Sequence, residues 1–241
     1  MVDLAATYAK NVEFFGSVPN RTNDFVCAAC RGPVQPDFSL CYGCHRLFQA
    51  APHELRDRIV PLTSALSPSP WYTRLLTYKS ANSHYAWVLI ALLERYLSAH
   101  EREIADVLGD DPDFVTVVPS KKPGVTFENQ TLARVLRAVP DLPWPVEEAL
   151  SFHVGASVGR QKYVPGAFDV IANVEGRRVL LIEDSWVSGA TPLSAAGALH
   201  VAGADVLLLP IARVIDNPAW WSEHPYLTAM NEPYTVGHWP T

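Results

Sequence analysis

The chain has 241 residues, of which 49% are hydrophobic and 18% are charged, and its formal net charge is −6. This composition excludes a disordered or fibrous protein, because it provides enough apolar residues to bury a sizeable core. The acidic balance argues against a broad basic surface for duplex nucleic acid.

The N-terminal residues do not predict a secretory signal, because Asp3, Lys10 and Glu13 interrupt them and no sustained apolar run follows. The longest apolar segment, residues 86–93, is too short to cross a bilayer. We therefore expect a cytoplasmic protein with no membrane partner.

All four cysteines fall within eighteen residues as two CxxC pairs, Cys27 with Cys30 and Cys41 with Cys44, with ten residues between the pairs. Two such knuckles bring four thiolates to one tetrahedral centre, and this predicts a structural zinc site with no open position for a substrate. The alternatives are two disulfides or a thioredoxin-type redox pair. A reducing compartment disfavours the first, and the lack of a βαβ pattern around either pair disfavours the second. His45 is a competing ligand, although a solvent-facing histidine is the favoured interpretation.

The segment around the cysteines carries little charge. Between Arg21 and Arg58 five basic residues stand against four acidic ones, a net charge of +1. This is a weak electrostatic footprint for nucleic acid, so a packing or docking module is favoured.

Periodicity predicts the following elements in chain order. They are a helix near residues 85–96 with Asn82 or Ser83 as its cap, a strand at 114–119, a helix at 130–138, strands at 168–174 and 179–182, a helix at 191–202 and a strand at 205–214. Strands that are apolar on both faces and alternate with helices predict an α/β fold, with a mostly parallel sheet and helices on both faces. We expect three parts: a leader (1–22), the zinc-binding module (23–60) and the α/β domain (61–241). The Trp- and Pro-rich tail after residue 215 is expected to be a strap or an interface.

The segment VLLIEDSWVSGAT, residues 179–191, combines an acidic pair with a small hydroxyl-rich turn. Glu183 and Asp184 follow a buried strand, at the edge where open α/β sheets bind ligands. The turn from Ser188 to Thr191 precedes a helix, and bare amides at a helix N-terminus favour a phosphate group. Together they match a sugar phosphate, whose vicinal ribose hydroxyls would donate to the two acids. The alternative is an ordinary strand end followed by an ordinary helix start.

The same thirteen residues resemble the phosphoribosyl-pyrophosphate (PRPP) signature of type I phosphoribosyltransferases. With the double-CxxC segment in front, the chain resembles the competence-protein ComF family. The stretches VTVVPS, VPGAFDV and AGADVLLLPIAR also agree with that family, so the resemblance covers about residues 27–213. It implies a type I phosphoribosyltransferase-like fold.

Two departures from the family pattern stand out. Ser185, Trp186 and Val187 replace residues that are usually aliphatic or threonine, and the Trp186 indole either stacks on a ring or fills the core. The middle segment GASVGRQKYVPGAF is short and keeps only Arg160 and Lys162 as cations.

The resemblance implies transfer of ribose 5-phosphate from PRPP, with Mg²⁺ and pyrophosphate leaving together. It assigns catalytic roles to Glu183, Asp184, Arg160 and Lys162, the last two on a loop that closes over the pyrophosphate. The PRPP-binding residues it implies are Ser120, Lys121, Lys122, Ser188, Gly189, Ala190 and Thr191. The alternative for Ser120, Lys121 and Lys122 is a solvated basic turn, and for Arg160 and Lys162 simple surface cations.

The acceptor is expected to be a nucleobase or an amine. No glutaminase domain is present in the sequence, so an amidotransferase is not expected. The alternative function is that of a non-enzymatic PRPP sensor or nucleic-acid-associated factor in DNA uptake, which docks on DNA-uptake proteins or single-stranded DNA.

Overall fold

The computed structural model describes residues 2–80, 84–216 and 222–240. In these ranges the helices are α1 (Leu4–Ala9), α2 (Tyr42–Leu47), α3 (Pro70–Thr77), α4 (Tyr85–Ala99), α5 (Glu101–Leu108), α6 (Thr131–Arg137), α7 (Ala190–Val201) and α8 (Pro225–Met230). The strands are β1 (Thr63–Leu66), β2 (Phe114–Val117), β3 (Leu150–Phe152), β4 (Phe168–Val170), β5 (Arg178–Trp186) and β6 (Asp205–Ile215).

A four-stranded sheet with the order β1-β6-β5-β2 forms the centre, and its neighbouring strands pair in parallel. Successive residues of β5 point to opposite faces. Leu180 joins the core under α3 to α6, whereas Leu181 joins the core with α7 and the cysteine segment. Helices thus cover both faces of the sheet, and the central residues of β5 and β6 are apolar on both sides. The predicted α/β fold with a mostly parallel sheet is confirmed.

β1 was not predicted, and the predicted strands differ most from the observed ones in two places. β5 continues to Trp186, so the acidic pair lies inside the strand and not after its end. The strand predicted at residues 168–174 stops at Val170, because its antiparallel partner β3 has only three residues. β3 is too short to give an alternating pattern, and the sequence did not predict it.

The two ends of the chain pack together against the central sheet. Phe15 lies against Trp71 of α3, with ring centroids 4.6 Å apart. In the tail, Tyr226 and Met230 pack with Val26 and Ile215. The described part of the tail therefore crosses the N-terminal part as a strap.

Some expectations fall outside these observations. The predicted helix caps Asn82 and Ser83 lie outside the described residues. The division of the chain at residues 22 and 60 stays a prediction. Within the described ranges, the structure contains no helix whose length and hydropathy suit a membrane span.

Candidate functional site

The four cysteines form one cluster. Their sulfur atoms all lie within 4.8 Å of one another, and the sulfurs of Cys30 and Cys41 are 3.7 Å apart. A tetrahedral zinc site with Zn–S bonds of ~2.3 Å places its sulfurs roughly 3.8 Å apart, so the donor set fits a metal ion such as zinc. All four cysteines are free of disulfides. His45 is exposed and lies outside the cluster.

The acidic pair faces a cavity at the carboxyl edge of the sheet. This site cavity has a volume of about 350 Å³. Although Glu183 and Asp184 are neighbours in a strand, both line it. Residues from three separate parts of the sequence meet here, and the predicted ones among them are Ser120, Lys121, Lys122, Glu183, Asp184 and Thr191.

The Asp184 carboxylate is held by three neighbours. The Tyr78 hydroxyl donates to Oδ2 at 3.0 Å, and the Ser185 hydroxyl donates to Oδ1 at 2.8 Å. The Lys79 ammonium forms an ion pair with Oδ2. Asp184 is only 9% exposed, and these contacts supply the partners that a buried carboxylate requires. Burial and the Asp184 charge raise the pKa of Tyr78, which keeps its hydroxyl protonated as a donor.

Glu183 differs electrostatically from its neighbour. Burial, and then the adjacent Asp184 charge, raise the pKa of Glu183 well above its usual value, although Lys79 and Lys121 oppose this shift. The pair therefore combines a carboxylate with three polar partners and a carboxyl group that holds its proton more tightly. A cationic or hydroxyl-donating ligand would favour the ionised form of Glu183.

Residues 188–191 comprise the end of the turn after β5 and the first two residues of α7, and we refer to them as the 188–191 loop. Gly189 has φ +79° and stands immediately before the helix. A Cβ at this position would lie 2.1 Å from the Trp186 ring, so only glycine fits. Trp186 is 1% exposed and belongs to the core. Of its two predicted roles, the structure supports core filling, and the indole does not line the site cavity.

A basic loop, Ser120 to Lys122, forms the opposite wall. The Lys121 ammonium donates to the Thr191 hydroxyl at 3.1 Å and so bridges the cavity to the 188–191 loop. Gln130 fixes the start of the basic loop: its side chain accepts from the Ser120 amide at 3.3 Å and donates to the Val118 carbonyl at 2.8 Å. Lys121 thus stands beside the Thr191 hydroxyl at the start of α7.

Other predicted site residues lie outside the cavity lining. Ser188 is half-buried, and Gly189 and Ala190 are buried behind Thr191. Arg160 and Lys162 are exposed on the segment between β3 and β4 and do not line the site cavity. Their closure over a ligand stays a prediction.

Sequence reasoning missed three residues with direct structural roles. Tyr78 and Lys79 follow α3 and reach Asp184 across more than 100 positions of sequence, a contact that only tertiary packing creates. Arg213 contacts the Cys30 sulfur from β6. Its signal was a lone arginine within the apolar run of residues 206–215, which indicates a buried charge with a partner.

Comparisons with known proteins add little to this geometry. No protein-family model matches the sequence, and no significant relative is found among curated proteins. Among solved structures, the chain is similar to a phosphoribosyltransferase from Corynebacterium diphtheriae, with 16% sequence identity and a TM-score of 0.36. That match covers 61% of this chain and 86% of the other. A TM-score this low carries no argument, so the fold rests on the strand pairings and the resemblance to the ComF family stays an expectation.

Proposed function

We propose that the chain binds PRPP with Mg²⁺ in the site cavity and transfers its ribose 5-phosphate to a nucleobase or amine. The observation that carries this proposal is the convergence of Glu183 and Asp184 with Thr191 and the basic loop around one cavity. Carboxylates that can accept from sugar hydroxyls and the start of a helix that can bind an anion thus line one cavity of about 350 Å³, a volume within the range of small-molecule sites.

Each wall would meet a different part of the ligand. The amide and the hydroxyl of Thr191, which lines the cavity at the start of α7, would hold the 5-phosphate, whose charge the helix dipole favours. Glu183 and Asp184 would accept from the ribose hydroxyls. Lys121 and Lys122 would lie near the pyrophosphate, where positive charge stabilises the leaving group.

Carboxylate and phosphate oxygens are the ligands that Mg²⁺ prefers, so the acidic pair suits a magnesium-bound substrate. When bound, Mg²⁺ would neutralise charge on the departing pyrophosphate. The chain's own residues would orient the ribose, exclude water and surround the positive charge that develops at the sugar ring. No side chain needs to act as a covalent nucleophile.

We also propose that the cysteine cluster holds structural zinc. All four donors are cysteines, and three of them are buried, so a bound ion would have no open position for chemistry. Its contribution would be to the folding of the cysteine segment, because metal binding to a site that only the folded chain forms adds to the free energy of folding.

The test of transfer is pyrophosphate release from PRPP and Mg²⁺, measured with and without a panel of purine and pyrimidine bases, ammonia and simple amines. Release that depends on one acceptor and disappears in Asp184→Asn supports a transferase. If the protein binds PRPP tightly but releases no pyrophosphate with any acceptor, the result contradicts transfer and supports only the binding part of the proposal.

A second candidate function is PRPP sensing without transfer. It is favoured by the position of Arg160 and Lys162, since both cations are exposed and lie away from the cavity lining. The variant Arg160→Ala/Lys162→Ala distinguishes the two functions. A transferase that closes this segment over pyrophosphate loses turnover in the variant, whereas a sensor keeps its affinity for PRPP.

A further inference from the structure

Arg213 is a buried cation in an apolar strand. It lies in β6 opposite Trp186 of β5 and is 8% exposed. A guanidinium group is costly to bury unless its donors are satisfied. Its hydrogen-bond partners therefore show what the residue is placed to hold.

Those partners belong to two different parts of the molecule. Nε of Arg213 donates to the Cys30 sulfur at 3.3 Å. Nη1 donates to the carbonyl oxygens of Trp186 at 3.0 Å and Val187 at 3.3 Å, the two residues that precede the 188–191 loop. It also donates to the Val214 carbonyl of its own strand. One planar group thus joins the cysteine cluster to the base of the loop.

Gly32 of the cysteine segment allows this close approach. A Cβ on Gly32 would lie 2.6 Å from Nε and Nη2 of Arg213, so the turn after Cys30 packs directly on the guanidinium. A Cβ on Gly43 would be 3.8 Å from the Ser188 carbonyl oxygen. The cluster and the loop are therefore adjacent, with Arg213 as the polar connection between them.

The connection continues from Trp186 to the loop itself. The Trp186 ring occupies the space beside the Gly189 Cα, which leaves no room for a side chain there. A shift of the Trp186 backbone would consequently move Gly189 and the amides at the start of α7. The path from Cys30 to these amides passes through Arg213 and Trp186.

We propose that Arg213 is a positioning residue through which metal binding at the four cysteines orders the 188–191 loop. Four thiolates exceed the charge of one Zn²⁺, so the metal-bound cluster is an anion that fixes the cationic guanidinium. When the metal is removed, the Cys30 sulfur is no longer held in place, and the carbonyls of Trp186 and Val187 lose a fixed donor. The functional consequence, weaker PRPP binding, rests on the proposed function.

Amide hydrogen exchange of the full-length protein tests this coupling without any ligand. We expect peptides that cover residues 186–193 to exchange faster after zinc is removed by a chelator, and faster also in zinc-loaded Arg213→Met. Removal of zinc from Arg213→Met should increase exchange in these peptides only slightly further, because this variant already lacks the connection through Arg213. Zinc content is measured in each sample.

Arg31→Met is the matched control. Arg31 is also buried in the cysteine segment, but it donates to the carbonyls of Ala28, Ala29 and Pro240 and not to the loop. We expect this variant to change exchange in the cysteine segment and leave residues 186–193 as in the wild type. If Arg213→Met does not fold, Arg213→Lys is used in its place, because lysine keeps the charge but lacks the planar guanidinium group. The chelation experiment on the wild type needs no variant.

The second readout is the affinity for Mg²⁺ and PRPP, which we expect to fall at least about 10-fold in zinc-free protein and in Arg213→Met. If the wild type binds no PRPP, the proposed function fails, while hydrogen exchange still decides the coupling. The coupling is overturned if residues 186–193 exchange at the wild-type rate after zinc removal or in Arg213→Met. A wild-type protein that binds no zinc also overturns it.

Discussion

The Lys79 ammonium forms an ion pair with the Asp184 carboxylate at the mouth of the site cavity. With Tyr78 on the same oxygen and Ser185 on the other, both carboxylate oxygens are engaged. A sugar hydroxyl or a magnesium ion must therefore share or replace one of these partners. Because Lys79 is half exposed, it is the partner that can leave at the lowest cost.

Replacement of Lys79 by methionine tests this relationship. We expect Lys79→Met to lose about 0–1 kcal/mol of unfolding free energy at pH 7, since solvent screens a half-exposed pair. Mg²⁺ should stabilise this variant more than it stabilises the wild type, because the cation replaces the missing ammonium. Urea unfolding with and without Mg²⁺ measures both effects, and Lys10→Met, at an exposed lysine, is the control.

The same pair has a defined pH dependence. Burial lowers the pKa of Lys79, but the Asp184 carboxylate outweighs this effect and raises the net pKa above its usual value of 10.5. The stabilisation that protonated Lys79 provides is therefore complete below pH 10.5, and it is lost as the pH rises through the folded-state pKa of Lys79. We therefore expect the difference in unfolding free energy between wild type and Lys79→Met to be constant between pH 6 and 9, and a difference that falls as pH rises across this range would contradict the assignment.

Glu183→Gln is expected to stabilise the protein at pH 8 and to weaken PRPP binding. Since burial and Asp184 raise the pKa of Glu183, the native state holds this proton more tightly than the unfolded chain. Wild-type stability therefore falls as pH rises from the unfolded pKa through the folded one, whereas glutamine does not ionise. Urea unfolding should show a difference at pH 8 that shrinks towards pH 4, and a variant less stable than wild type at pH 8 would refute this electrostatic account.

Gly189→Ala separates backbone strain from steric conflict. The Cβ would meet the Trp186 ring, so we expect a loss of about 1–3 kcal/mol beyond the backbone cost. Gly176→Ala is the matched control, because Gly176 also has positive φ but open space around its Cβ, and it should lose only ~1 kcal/mol. Equal losses of unfolding free energy in both variants would show that the Trp186 ring moves aside for the new Cβ at little cost, and would contradict the predicted steric conflict.

The cysteine cluster predicts a zinc-protected set of thiols. We expect purified protein to contain stoichiometric zinc and its cysteines to react slowly with a thiol reagent until a strong chelator is added. Cys44→Ser should lower the zinc content, and His45→Ala should not, because His45 lies outside the cluster. Full reaction of all four thiols in untreated native protein would exclude the metal site.

Local chemistry made part of this molecule predictable. The apolar runs of β5 and β6 and the small residues of α7 indicate a buried parallel sheet with a covering helix, and CxxC spacing indicates the cluster. The extent of β5 beyond the acidic pair was not predictable, because acidic residues usually end strands.

The connections between distant residues required the fold itself. Lys79 is one of many surface lysines until packing places it on Asp184. Likewise, Arg213 and Cys30 are separated by 183 positions, and no local pattern relates them. Sequence reasoning therefore found the acids and thiols but not the cations that hold them.

Titration calorimetry of the zinc-loaded protein with PRPP and Mg²⁺ is the most direct measurement of the central claim. We predict saturable binding by the wild type and a loss of roughly 10-fold or more in Asp184→Asn, the cost of removing a charge-assisted hydrogen bond. No binding by the folded wild type, or equal affinity in wild type, Asp184→Asn and Glu183→Gln, would contradict a PRPP site at this acidic pair.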